Sequence, residues 1–168
     1  MAGRAAASTR GEYRFVTHWR VPGTCEEVSD VLEDVEHIPR WWPSVYRGCR
    51  ILAPGNGPHG LGKRVEVLTK GFLPYTLRWR YTVVEQHYPY GSRLIADGDL
   101  EGTGIWTLHQ DGLLADVTYE WSVRANKRLL RWLEPLLRPL FAANHDYTMR
   151  RGFDGLCAEV TRRRARAS

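Results

Sequence analysis

Bulky apolar residues recur at every second position along several stretches of this chain. Tyr75, Leu77, Trp79, Tyr81 and Val83 alternate with Thr76, Arg78, Arg80 and Thr82, and the same period returns in Val117, Tyr119, Trp121 and Val123. Near the start, Tyr13, Phe15, Thr17 and Trp19 alternate with Arg14, Val16, His18 and Arg20, which predicts a first strand from Glu12 to Val21, stopped by Pro22 and Gly23. Strands with this pattern turn one aromatic face toward an interior. That face either closes a solid core or walls a pocket for an apolar molecule.

Between the strands the pattern changes. Thr24 followed three residues later by Glu27 is a capping box, so a helix is predicted from Cys25 to about Asp34 with Val28, Val31, Leu32 and Val35 turned inward. His37 to Trp42 predicts a second short helical turn, ended by Pro43 because the residue before a proline is pushed out of helical geometry. Val45 to Leu52 and Gly62 to Lys70 read as a hairpin around the Gly- and Pro-rich stretch 54–60. Tyr75 to Gln86 and Arg93 to Leu100 form the next hairpin. Centring its turn on Pro89 and Tyr90 places Arg80 opposite Asp99, Arg78 opposite Glu101 and Trp79 opposite Leu100. Gly104 to Gln110 then pairs with Ala115 to Ala125, with Trp106 opposite Tyr119 and Gly104 opposite Trp121, the small residue making room for the large one. From Lys127 onward the apolar spacing is helical. Pro135 and Pro139 predict a broken, Leu-rich approach, followed by a continuous helix from about Ala142 to Arg163.

The chain of 168 residues is long enough for one domain with a real core, expected over 12–163, with a disordered start at 1–11 and a basic tail at 164–168. The net charge of +5 changes little, because Arg162, Arg163, Arg164 and Arg166 cluster at the C-terminal end and no zinc spacing, helix-turn-helix or RNA-binding aromatic signature accompanies them. Nucleic acid is therefore not an expected partner. Cys25, Cys49 and Cys157 have no metal-like or redox-like spacing and read as free thiols of a cytoplasmic protein. No secretory signal and no apolar run of membrane-spanning length is present, so integral membrane association is not expected. Seven Trp and eight Tyr exceed what a core of this size ordinarily uses, which favours a lined site.

Two segments carry a resemblance: His37-Ile-Pro-Arg-Trp-Trp-Pro43, and Asn144-His-Asp-Tyr-Thr-Met-Arg-Arg-Gly-Phe-Asp-Gly-Leu156. Together with the element order, they make residues 12 to 163 similar to bacterial polyketide cyclase and dehydrase-like members of the START-related, or SRPBCC, superfamily. The resemblance implies an α+β helix-grip fold, in which a curved antiparallel sheet of about seven strands wraps a long C-terminal helix. It also implies a deep apolar cavity between the two, used across the superfamily for lipids, polyketides, sterols and hormones. Relatives include cyclases and aromatases as well as proteins that only bind or carry, and fold identity does not choose between them.

On this reading the candidate ligand-binding residues are Trp41, Trp79, Tyr81, Trp106, Tyr119, Trp121, Asn144, His145 and Met149. Rings supply stacking surface, while phenol, indole, amide and imidazole groups supply the few directed contacts that a ligand site requires. His145 is the candidate for moving a proton, although a lone helical His is more often a structural residue. The acidic residues Asp97, Asp99, Glu101 and Glu120 alternate with apolar neighbours and are expected on the outer face, with Arg78 and Arg80 as partners. No metal and no cofactor is expected, since the six His form no ligand pairing and the glycines between strands lack a following helix to receive a phosphate. The leading function is binding of a hydrophobic or aromatic small molecule, lipid- or polyketide-like. The alternatives are an aldol cyclase or dehydratase of the aromatase type, and a membrane- or partner-binding module built on Arg128 to Phe141.

Overall fold

The computed structural model describes residues 12–71, 75–125 and 134–167. Strand β1 (Glu12–Pro22) leads into helix α1 (Cys25–Glu33), a single 3-10 turn (Val35–His37) and the short helix α2 (Ile38–Trp41). Six further strands follow: β2 (Tyr46–Ala53), β3 (Arg64–Thr69), β4 (Leu77–Gln86), β5 (Gly91–Gly98), β6 (Leu100–Asp111) and β7 (Leu114–Ala125). Helix α3 (Glu134–Ala167) completes the chain. All seven strands form one antiparallel sheet in the order β1-β7-β6-β5-β4-β3-β2, curved around α3. This is the helix-grip arrangement.

Local chemistry explains the elements around α1 and α2. The Thr24 hydroxyl accepts from the Glu27 amide at 3.2 Å and the Glu27 carboxylate accepts from the Thr24 amide at 2.8 Å, so both halves of the capping box are made. Val28 and Val31 are fully buried, and with Val21, Val65, Leu156 and Val160 they form the driest part of the core. Glu159 of α3 is 4% exposed and is held by three guanidiniums, those of Arg40, Arg162 and Arg163, while Arg163 also reaches Asp34 at 2.6 Å. This cluster ties α3 to α2 and to the end of α1. It also holds the Glu159 carboxyl well below the usual carboxylate range, Arg162 contributing most.

Glycines set how closely α3 approaches the α2 corner. A Cβ at Gly155 would overlap the Trp41 carbonyl, and one at Gly152 would overlap the Trp42 indole. The helix therefore lies directly on both tryptophans.

The β6–β7 hairpin has the expected register, with Gly104 opposite Trp121 and Trp106 opposite Tyr119. The β4–β5 hairpin does not. Arg80 pairs with Asp97 and Trp79 with Gly98, two residues away from the expected partners: the turn centres on Pro89, which shifts the pairing by one, and a bulge between Val83 and Glu85 adds a residue to β4 and shifts it by one more. Leu100 belongs to β6, since β5 ends at Gly98, whose φ of 114° suits glycine. A slip of two preserves the faces: Arg80 and Arg64 meet Asp97 on the outer side at 2.9 and 3.2 Å, and Arg14 meets Glu120 there at 3.0 Å.

The C-terminal helix also begins earlier than expected, at Glu134. Pro135 falls in the first turn, where its missing donor has no partner to lose, and Pro139 removes one hydrogen bond without ending the helix. The disordered start expected for 1–11 lies outside the described residues, and the membrane- or partner-binding face expected of Arg128 to Phe141 falls on residues 128–133 and on side chains of 134–141 that lie outside them too.

Candidate functional site

The sheet's concave face and the first described turns of α3 enclose a partly open cleft of about 170 Å³. Its wall is built by alternation. Phe15 of β1, Trp79 of β4, and Tyr119 and Trp121 of β7 all take inward positions of their strands, and Trp79 lies 5.4 Å from Trp121 ring to ring. Its opposite side comes from Asn144, His145, Thr148 and Met149 of α3, which share one face of the helix. Gly71 makes the closure possible, because a Cβ there would strike the Asn144 side-chain oxygen.

Apart from Lys70, the polar groups of the described lining are neutral. His145 stacks on Phe15 with ring centroids 4.0 Å apart, and its Nε2 lies 3.3 Å from the Thr17 hydroxyl. Burial pushes the imidazole down to about 4, so at neutral pH it carries no charge. The Thr148 hydroxyl donates to the His145 carbonyl at 2.8 Å, and the Trp42 indole donates to the Thr148 carbonyl at 2.9 Å, which fixes this stretch of helix against the corner. Trp79 donates its indole N–H to Thr69 Oγ1 at 3.0 Å.

Three phenols are different. Tyr46, Tyr81 and Tyr119 come from β2, β4 and β7, and among the described residues none of their hydroxyls has a hydrogen-bond partner. Burial is the main cause that raises all three above the ordinary phenol range, with Tyr46 adding to the rise at Tyr81 and Tyr119, and Tyr81 to that at Tyr119. They remain protonated donors at any physiological pH. The Tyr119 hydroxyl lies over Gly104, where a Cβ would sit 2.8 Å from it. Cys49 beside them is likewise pushed up to about 12 by burial, so it is a thiol and not a nucleophile.

Of the residues singled out from the sequence, the cleft brings together Trp79, Tyr119, Trp121, Asn144, His145 and Met149. Trp41 is buried beneath α3, and its neighbour Trp42 takes the place on the cleft wall. Tyr81 and Trp106 line a second, smaller hollow of about 60 Å³ on the far side of their ring neighbours. Sequence reasoning passed over Tyr46, Phe15 and Thr148. Phe15 was legible in the alternation of β1; Tyr46 stands at the first residue of a strand, where alternation has no preceding residue to lean on.

Among the described lining residues Lys70 is the only charged one, and no carboxylate faces the cleft. Among the described residues no group of His, Cys, Asp and Glu is arranged to hold a metal ion, the three cysteines are free, and no helix is long and apolar enough to cross a membrane.

The model of the family described as polyketide cyclase / dehydrase and lipid transport matches residues 13–161. Among solved structures, TTHA0849 from Thermus thermophilus superposes with a TM-score of 0.67 at 16% identity, over 89% of this chain and 97% of that one. The Zhui aromatase/cyclase from a Streptomyces species gives 0.67 at 15% identity, over 90% and 95%. A STAR-related lipid transfer protein from Xanthomonas axonopodis gives 0.56 at 14%, over 96% and 99%. At these identities the likeness is one of fold. No curated protein matches the sequence.

Proposed function

The chain belongs to the polyketide cyclase / dehydrase and lipid transport family, and from that premise and the geometry of the cleft we propose that it holds a neutral, ring-bearing small molecule between the sheet and α3. One observation carries the reading: an aromatic wall that presents the Tyr46 and Tyr119 phenols to a cleft whose described lining includes no carboxylate. A ligand oxygen of the ketone, quinone or phenol kind can accept from these hydroxyls, while its rings stack on Trp79, Trp121 and Phe15.

Size sets the scale. An apolar cavity of about 150 Å³ accommodates a benzene-sized ring, so the cleft of about 170 Å³ suits one ring within it and leaves the rest of a larger molecule toward the open side. A ring burying roughly 150–250 Å² at about 25 cal/mol per Å² gains on the order of 4–6 kcal/mol before association costs, which places single-ring probes in a weak binding range. The test is a panel of aromatic ketones, phenols and straight-chain fatty acids, read by Trp fluorescence and by the rise in melting temperature that ligand linkage requires. Saturable response to the oxygenated aromatics supports the reading. Silence across the panel rejects it.

A second reading rests on His145, an uncharged imidazole on the cleft wall. In a cyclase or dehydratase it would accept a proton from a carbon next to a ligand carbonyl, with the phenols donating to the developing enolate oxygen. Its low proton affinity makes it a weak base and an unsuitable acid at pH 7. His145→Ala separates the two readings: loss of turnover with binding retained favours an enzyme, and unchanged behaviour in both removes His145 from the chemistry.

A further inference from the structure

No described residue lines both hollows, although the two meet inside the same concave face. Between them stand two ring pairs. Tyr119 faces the main cleft and Trp106 the smaller hollow, stacked with centroids 4.0 Å apart and planes 20° apart. Trp79 faces the main cleft and Tyr81 the smaller hollow, 5.9 Å apart. Each pair presents one ring to each side, so the division is two rings thick.

The smaller hollow has an apolar interior, with Val83, Leu94 and Leu108 beside Trp106 and Tyr81. Its outer end is rimmed by a polar network. His59 Nδ1 lies 3.0 Å from the Glu33 carboxylate, and Gln86 donates to Glu33 at 2.9 Å and to the His59 carbonyl at 3.1 Å. Lys63 donates to the Glu33 carbonyl at 3.2 Å, and the His59 ring stacks on Tyr88 at 3.8 Å. These contacts join α1, the loop between β2 and β3, and β4 into a polar rim around the partly open end of the hollow.

Apolar space that is divided from the ligand cleft by paired rings has one consequence for recognition. We propose that the Trp106–Tyr119 stack is the length stop of the ligand site: it ends the main cleft, and the hollow behind it is an extension reserved from the wild-type protein's ligands. The proposal rests on the ligand-binding reading above and deepens it, since it names the residues that limit how far a ligand reaches inward. The stack is held in place from both sides. Trp19 packs 5.8 Å from Trp106, and Trp121 lies 5.8 Å from Tyr119 in a stacked arrangement. Gly104, beneath the Tyr119 hydroxyl, lets the ring lie down across β6 instead of standing into the cleft.

The experiment is calorimetric binding of a homologous series of 4-alkylphenols to the full chain and to four variants, each checked by its melting curve. In the wild type, affinity rises about fourfold per methylene while the chain finds apolar space, then stops rising at a break. Trp106→Leu and Tyr119→Ala, either of which thins the division, move the break to longer homologues, with the fourfold gain per methylene continuing past the wild-type limit. Tyr119→Phe, which keeps the ring, and Val45→Ala, which widens the cleft elsewhere, leave the break where it is. Trp106→Leu serves as the deciding variant if Tyr119→Ala does not fold. A break that stays in place in the folded Trp106→Leu protein overturns the proposal, as does a wild-type series with no break or a Tyr119→Phe variant that shifts it equally. Failure of the wild type to bind any homologue overturns both this proposal and the ligand-binding reading, whereas an unmoved break overturns the length stop alone.

Discussion

Acidifying the protein from pH 7.5 to pH 5 isolates the buried imidazole of His145. Its folded-state value of about 4, against 6.5 for an unburdened His, means that the folded protein binds this proton less readily than the unfolded chain does. Stability is then greatest above pH 6.5 and is lost as pH falls from 6.5 toward 4, because only the unfolded state gains a proton there. Integrating over that window gives a loss of about 2 kcal/mol at pH 5 and about 3 kcal/mol when the folded-state value is passed. The depressed carboxyls of Glu27, Asp34 and Glu159 act lower, since their unfolded forms take up protons only near pH 4, so the first part of the window belongs to the imidazole. The assay is urea unfolding at pH 7.5 and pH 5.0 for the wild type and for His145→Gln, whose amide reaches toward Thr17 but does not titrate. The wild type should lose about 2 kcal/mol more than the variant between the two pH values. A difference under about 0.5 kcal/mol, or an NMR titration of His145 centred near 6.5, would refute the claim that α3 and Phe15 keep water from this ring.

Glu159→Gln leaves the guanidiniums of Arg40, Arg162 and Arg163 facing an uncharged amide; because those groups reach solvent, the expected loss is about 2 kcal/mol, below that of a fully buried pair, measured by urea unfolding at pH 7. Below about pH 4 the difference from wild type should shrink, because the unfolded chain takes up the Glu159 proton there while the folded carboxylate stays ionised. Gly155→Ala drives a methyl into the Trp41 carbonyl and should lower stability by about 1–3 kcal/mol, with a change in Trp fluorescence reporting that the corner has moved. Thr24→Ala removes the hydroxyl half of the capping box and should cost about 1 kcal/mol with cleft binding unchanged in calorimetry.

The faces of the strands were legible because a period of two survives local irregularity, whereas registers were legible only where no bulge intervened. The β6–β7 pairing follows from Gly104 accommodating Trp121, a complementarity visible in the residues themselves. The β4–β5 pairing depends on an extra residue near Val83 and on a turn centred on Pro89, and neither leaves a trace in the alternation. That the error was two residues and not one kept Arg80 and Asp97 outside and the rings inside, so the character of the cleft was read correctly from a wrong pairing.

The division of the rings between two hollows was not legible for a different reason. Trp79 and Tyr81 are equivalent by alternation, as are Tyr119 and its cross-strand partner Trp106, so strand periodicity assigns all four to one wall. What separates them is their position along the strand relative to α3, and that position is set elsewhere. Gly152 and Gly155 seat α3 on Trp42 and Trp41, and the Glu159 cluster anchors it to Arg40 and, through Arg163, to Asp34. The same seat brings Trp42 rather than Trp41 to the cleft and places His145 over Phe15. A helix moved along its axis would keep every face and still expose a different set of rings. On the proposed reading, ligand length is governed jointly by the ring stack on β6 and β7 and by two glycines on the helix opposite, and Gly155→Ala should change cleft binding as well as stability.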